Sequence, residues 1–117
     1  METESVYGVT AEDFEEKVLR SDLPVLVDFH RAACLPCQKL SSTIDELAQA
    51  YGEGERLGVY KCEDDQLFER LKVQFVPQLI LFVAGKDHWI DRNIRSLEGL
   101  KKEIEEILAK GRRHEVK

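Results

Sequence analysis

The segment VLVDFHRAACLPC, residues 25–37, decides the fold of this chain. Its first five residues form a continuous apolar run of strand length with one carboxylate, Asp28, inside it. Such runs are typical of strands that are covered by helices on both faces, as in parallel sheets. Apolar residues at helical spacing follow the two cysteines, so the segment predicts a buried strand, a loop and the start of a helix.

Helices and strands alternate outward from this segment. Upstream, Thr10 begins a capping-box-like sequence that predicts a helix, after a weak first strand at Val6 and Tyr7. Downstream, strands at 57–62 and 79–83 flank a short helix, and turn residues 84–87 predict a hairpin into residues 88–90. Residues 97–108 predict an amphipathic helix capped by Ser96. The order β-α-β-α-β-α-β-β-α indicates an α/β fold, a central mixed β-sheet flanked by helices on both faces.

Composition and charge exclude several classes of protein. A chain of 117 residues that is 43% hydrophobic fits one domain, which we place at residues 1–110. The net charge of −6 argues against a nucleic-acid binder. The basic residues 111–117 follow a glycine that is expected to end the last helix, so they are predicted to be a disordered, solvated tail rather than a nucleic-acid-binding one. Three cysteines cannot form a closed set of disulfides, which argues against a secreted cystine scaffold.

No targeting or membrane segment is recognisable in the sequence. The amino terminus, METESVYGVT, lacks the basic start and apolar run of a signal peptide. The longest apolar stretch, residues 79–84, is far shorter than the roughly 18 residues that a membrane helix needs. These features predict a soluble cytoplasmic protein that does not bind a membrane.

The sequence Cys34-Leu35-Pro36-Cys37 carries the chemistry. Unpaired amides and a partial positive charge at the start of a helix favour an anion, so the pKa of Cys34 is expected to be low and its reactive thiolate favoured. Cys37 lies one turn further on and is able to close a small disulfide. Arg31 adds a further candidate positive charge near Cys34.

Two other interpretations of this cysteine pair remain open. The same spacing supplies half of a zinc site, but no second pair follows, and zinc would have to recruit Cys62, His30 or His88. Alternatively, both thiols pack as small buried hydrophobes. We predict no metal, because no second pair of ligands follows, and no bound cofactor, because a dithiol itself holds the electrons for disulfide exchange.

Asp28 and Pro77 are the other two candidate site residues. A carboxylate in so apolar a run loses hydration, which raises its pKa and makes it a candidate proton acceptor for a buried thiol. The alternative is a strand-end aspartate that reaches solvent. Pro77 precedes the strand at 79–83 and indicates a turn, whose isomer the sequence does not assign.

Three stretches of the chain resemble the thioredoxin family: residues 25–29, residues 34–37, and Phe75-Val76-Pro77-Gln78-Leu79-Ile80-Leu81-Phe82. The resemblance covers roughly residues 5–110 and implies a thioredoxin-like fold. It implies that Cys34 is the nucleophile, Cys37 the resolving thiol and Asp28 the buried acid beneath them. It also implies that Pro77 is a cis-proline facing the disulfide, and that the backbone of Val76 pairs with the substrate chain.

The function implied by the resemblance is thiol–disulfide oxidoreduction. The Cys34–Cys37 pair would reduce disulfide-containing protein substrates, and a separate thioredoxin-reductase-like donor would reduce the pair again. The alternative is a thioredoxin-fold interaction module with little or no turnover, which is motivated by the atypical flanking residues Ala33, Leu35 and Gln78.

Further departures from the family pattern concern single positions. His30 replaces an aromatic residue, and Asn93 replaces a glycine expected on the last strand. The lysine that often neighbours the buried acid is expected near Gly58, where this chain has none. Cys62 lies outside the motif and is expected to be a buried spectator thiol, because reactive cysteines need an exposed, electropositive setting.

Overall fold

The computed structural model describes residues 7–52 and 55–116, and it describes side chains as far as residue 110. Strands and helices alternate along most of this chain, as the sequence predicts. In order, the elements are β1 (Tyr7–Gly8), a π-helix (Glu15–Leu19), β2 (Val25–Phe29), α1 (Leu35–Ala50), β3 (Gly58–Cys62), α2 (Asp65–Leu71), β4 (Gln78–Val83), β5 (Lys86–Trp89) and α3 (Leu97–Val116).

The five strands form one mixed sheet in the order β1-β3-β2-β4-β5. Strands β1, β3 and β2 run parallel, whereas β4 is antiparallel to both β2 and β5. The predicted hairpin is confirmed, but its turn is shorter than expected. Ala84 and Gly85 have φ of 53° and 81°, the left-handed conformation that a tight two-residue turn requires, so β5 already begins at Lys86.

Helices cover both faces of the sheet, which confirms the predicted fold class. One core cluster joins the sheet to α1 and α3 through Ile44, Leu47, Leu100 and other buried aliphatic residues. The second cluster lies on the opposite face and contains Phe14 and the buried residues of α2. No helix within the described ranges has the length and apolar character needed to cross a membrane.

Two predicted helix boundaries were wrong. The backbone of α3 continues through Gly111 to Val116, because a glycine inside a helix costs only about 1 kcal/mol and keeps its hydrogen-bonding groups. Near the amino terminus, Thr10 precedes turn residues and regular helix is delayed to Glu15. The predicted strand residue Val6 and the last residue of the tail lie outside the described residues, and the boundary at residue 110 stays a prediction.

Candidate active site

Two segments that carry the candidate residues leave the sheet at the same edge. The last residue of β2, Phe29, is paired with the first residue of β4, Gln78. The chain runs from Phe29 through a short loop to Cys34, and it enters Gln78 directly from Pro77. The topology therefore brings the cysteine motif (residues 34–37) and the proline segment (residues 75–77) to one end of the molecule, although about 40 residues separate them in the sequence.

Cys34 and Cys37 form a disulfide at the amino terminus of α1, with their Cα atoms 5.2 Å apart. Cys34 is the N-cap residue, and its Sγ accepts a hydrogen bond from the backbone N–H of Cys37 at 3.1 Å. Pro36 lies in the first turn, which contains no acidic residue. After reduction, a thiolate at Cys34 would face the unpaired amides and positive end of the helix, which lower a thiol pKa.

The two cysteine residues differ in access to solvent. Cys34 is partly exposed, whereas Cys37 is only 3% exposed. Leu35 and Phe75 are large apolar side chains that are exposed at 66% and 65%, one in the cysteine motif and one in the proline segment. An external disulfide can therefore reach Cys34 but not Cys37.

Backbone and side-chain contacts hold the loop between β2 and the disulfide. The side chain of Gln38 donates to the carbonyl of Ala32 at 2.8 Å. The guanidinium of Arg31 pairs with Asp65 at 2.6 Å and lies 4.1 Å from the centre of the Phe68 ring. The charge of Arg31 is thus paired with Asp65 of α2, and its contribution to the electrostatics of Cys34 stays a prediction.

Asp28 is buried, at 2% exposure, and its Oδ1 accepts no hydrogen bond from any described residue. Loss of hydration raises the pKa of Asp28 to about 7; Lys61 opposes this rise and Asp45 adds to it. The predicted burial and raised pKa are confirmed, and the solvent-exposed alternative is wrong. The proton-accepting role of Asp28 stays a prediction.

Lys61 is the lysine beside the buried acid. It lies three residues beyond the position near Gly58 where the family resemblance placed such a lysine. The parallel register pairs Asp28 with Lys61. The Nζ of Lys61 donates to Oγ of Ser41 at 2.7 Å and lies 3.6 Å from Oδ1 of Asp45, both on α1. The position was missed because it depends on how β2 and β3 align; aligning the two predicted strand ends, Phe29 and Cys62, would have found it.

The peptide bond between Val76 and Pro77 is cis, as the family resemblance implies. Arg92 holds this segment: its Nε donates to the carbonyl of Pro77 at 3.1 Å, and its Nη2 donates to that of Val76 at 3.0 Å. Its guanidinium also lies 5.5 Å from the centre of the Phe75 ring. Sequence reasoning missed Arg92, because no local motif around this residue indicates such a role.

The remaining candidate residues are His30, Cys62 and Asn93. Burial lowers the pKa of His30, so this imidazole is mostly neutral at pH 7 and contributes little positive charge. Cys62 is a free, buried thiol whose pKa is raised by burial, consistent with the predicted spectator. Asn93 lies in the turn after β5 rather than on that strand. Across the described residues, no three His, Cys, Asp or Glu side chains are grouped as metal ligands.

Comparisons with known proteins agree with this geometry. The family model described as Thioredoxin matches residues 5–106. Thioredoxin 1 of Nostoc sp. is 37% identical over 79 residues, which cover 67% of this chain and 74% of that protein. Thioredoxin of Griffithsia pacifica is 36% identical over 85 residues, covering 70% and 76%. The crystal structure of the Trx4 domain of ERdj5 has a TM-score of 0.76 at 22% identity, covering 91% of this chain and 97% of that one.

Proposed function

This chain belongs to the thioredoxin family, and from that premise we propose that it reduces disulfides in protein substrates through Cys34 and Cys37. Family membership supports thiol–disulfide oxidoreduction in general, and the direction and the substrates are the proposal. The observation that carries it is the disulfide at the start of α1, between one partly exposed and one buried cysteine.

The first step is attack on the substrate. In the reduced protein, the Cys34 thiolate attacks one sulfur of a substrate disulfide. The bond between the two substrate sulfurs breaks, a mixed disulfide with Cys34 forms, and the departing substrate thiolate takes a proton from water. The exposure of Cys34 and its place at the helix terminus both favour this role.

The second step is resolution by Cys37. Its thiol transfers a proton to the carboxylate of Asp28, and the resulting thiolate attacks Sγ of Cys34. The mixed disulfide breaks and releases the second substrate thiolate, which is then protonated. Two electrons have passed from the dithiol to the substrate, and the Cys34–Cys37 disulfide remains. Asp28 suits this step because its pKa of about 7 lets it accept and release a proton near neutral pH.

Return to the dithiol needs an external dithiol or reductase that supplies two electrons and two protons. A thioredoxin-reductase-like enzyme is the proposed electron donor. Without a donor, each molecule of this protein would reduce one substrate disulfide and then remain oxidised. Val76 and Pro77 are the proposed docking segment for the substrate backbone. We also propose a cytoplasmic location, which a fluorescent fusion in the source cell would test.

The experiment measures reduction of a quenched fluorescent cystine peptide, with dithiothreitol as electron donor. We expect Cys34→Ser to lower the rate roughly a thousandfold or more, because the attacking group is lost. In a parallel reaction of the prereduced protein without dithiothreitol, Cys37→Ser should accumulate a mixed disulfide whose mass is that of the protein plus one peptide strand. Cys62→Ser is the matched control and should stay within about twofold of the wild type.

Loss of activity in Cys34→Ser and trapping in Cys37→Ser together support the proposal. A wild-type protein that never reduces the peptide, while both serine variants still bind a partner with unchanged affinity, would favour the interaction module instead. That alternative is motivated by three residues unusual for the family, Ala33 and Leu35 beside Cys34 and Gln78 after Pro77.

A further inference from the structure

Arg92 makes several contacts with the proline segment, and the proposed disulfide exchange does not use them. Two of its N–H groups bind the carbonyls of Val76 and Pro77, and its guanidinium lies over Phe75. Arg92 follows β5 and is exposed, so its planar guanidinium lies on the solvent side of the proline segment. A guanidinium carries five N–H donors, which leaves further donors available after these two bonds.

The positive charge of Arg92 has no acidic partner among the residues that the structure describes. The ion pairs found there involve Lys17, His30, Arg31 and Lys61. Arg31 lies at the same edge of the sheet and provides the contrast, because Asp65 neutralises it. The neighbouring Arg95 adds a second exposed positive group, whose Nε donates to the carbonyl of Arg92 at 3.0 Å.

We infer that Arg92 is a specificity-determining residue that makes this protein prefer disulfides flanked by Asp or Glu. The inference rests on the proposed function, in which the substrate chain lies along Val76. Any chain placed there meets the guanidinium that already binds the Val76 carbonyl. A carboxylate beside the target disulfide matches the planar donor pair of an arginine and can bind it through two parallel hydrogen bonds.

The preference should come from Arg92 locally rather than from the protein as a whole. The net charge of the chain is −6, so long-range attraction does not favour an acidic substrate. A contact at the rim of a binding site acts mainly on the rate of association and is weakened by salt. General charge steering shares both properties, so the Arg92→Gln variant, and not the salt dependence alone, separates a specific Arg92 contact from it.

The test uses three cystine peptides that differ only in two residues next to the cystine: Glu-Glu, Gln-Gln or Lys-Lys. For the wild type we expect kcat/KM to be about fivefold higher for the Glu peptide than for the Gln peptide, and lower still for the Lys peptide. In Arg92→Gln the ratio of Glu to Gln should fall to within about twofold of one. Arg92→Lys keeps the charge without the planar fork, so its ratio should be intermediate.

The ratio is taken within each variant, so a general loss of activity in Arg92→Gln does not affect the answer. Arg20→Gln is the matched control, because Arg20 is an exposed arginine near the start of β2, at the opposite end of that strand. It should keep the wild-type ratio. Raising the salt to 0.5 M should reduce the wild-type preference and leave Arg92→Gln unchanged.

The outcomes distinguish the two proposals. Equal reduction of all three peptides by the wild type, or an unchanged ratio in Arg92→Gln, overturns the inference about Arg92 and leaves the oxidoreductase standing. If the wild type reduces none of the three peptides, the proposed function itself is overturned.

Discussion

The two faces of the sheet differ most at strand β2. Val25, Val27 and Phe29 alternate towards the face covered by the π-helix and α2, where the core is apolar. Leu26 and Asp28 alternate towards the face covered by α1 and α3. One strand thus supplies a purely apolar surface on one side and a buried carboxylate on the other.

Both faces bury apolar side chains that stabilise the fold, and they differ in the polar cost that accompanies this burial. The α2 face contains two edge-to-face aromatic pairs, Phe14 with Phe82 at 5.3 Å and Phe29 with Phe68 at 5.6 Å between ring centres. On the α1 face, Asp28 loses hydration without full hydrogen bonding, which destabilises its charged form. Both faces are held by apolar packing, and the α1 face in addition bears the desolvation cost of a buried carboxyl group.

The largest expected effect comes from removing the charge of Asp28. The pKa of this carboxyl is about 7 in the folded protein against 3.8 for the ordinary group, so between these values the folded state holds a proton that the unfolded state has released. The free energy of unfolding of the wild type therefore falls as the pH rises through this window. Asp28→Asn does not ionise, so its advantage over the wild type should grow by up to about 4 kcal/mol from pH 4 to pH 8.

Urea unfolding of the oxidised protein at pH 4, 6 and 8 measures this difference. Asp22→Asn, at an exposed position, is the control and should show no such growth. A constant difference between Asp28→Asn and the wild type across these pH values would mean that the two faces do not differ as described.

A smaller effect is expected on the opposite face. Phe82→Leu removes the edge-to-face contact with Phe14 and leaves a small void, which should lower the free energy of unfolding by about 1–2 kcal/mol. The loss should be the same at pH 5 and pH 8, because no titratable group is involved. A loss that depends on pH would show that the two faces are coupled through β4.

The smallest effect tests the lysine on the α1 face. Lys61 lowers the pKa of Asp28 while its ammonium is held by Ser41 and Asp45. Lys61→Met should therefore raise the Asp28 pKa further above 7, by about one unit. Carboxyl carbon NMR across a pH titration measures the shift, and Lys39→Met on the exposed surface of α1 should leave it unchanged. An unchanged or lower pKa of Asp28 in Lys61→Met would contradict the electrostatic effect of Lys61 on this carboxyl group.

Much of the fold and part of the site were predictable from local patterns. The apolar run at residues 25–29, the turn residues after Val83 and the helical spacing after Cys37 each specify one element from residues close in sequence. The place of Asp28 inside that run left burial and a solvent-reaching strand end both open, and the structure decided for burial. The end of α3 was predicted wrongly because a glycine weakens a helix without preventing it.

Other parts of the site depend on contacts between distant segments. Lys61 reaches the neighbourhood of Asp28 only through the register of β2 with β3. Arg92 reaches Val76 from 16 residues away, across the β4–β5 hairpin. Neither pair has a spacing that marks it in the sequence, since the partners meet only after the strands have aligned.

By itself, the sequence determined the α/β architecture and a dithiol at a helix start, because helical and strand periodicity and helix termini are local properties of the chain. The tertiary structure alone decided which charges face Asp28, that Asp65 matches Arg31, and that Arg92 borders the proline segment. The physical reason is that register and side-chain pairing are set by packing the whole core, in which each strand must bury its apolar side chains on both faces of the sheet.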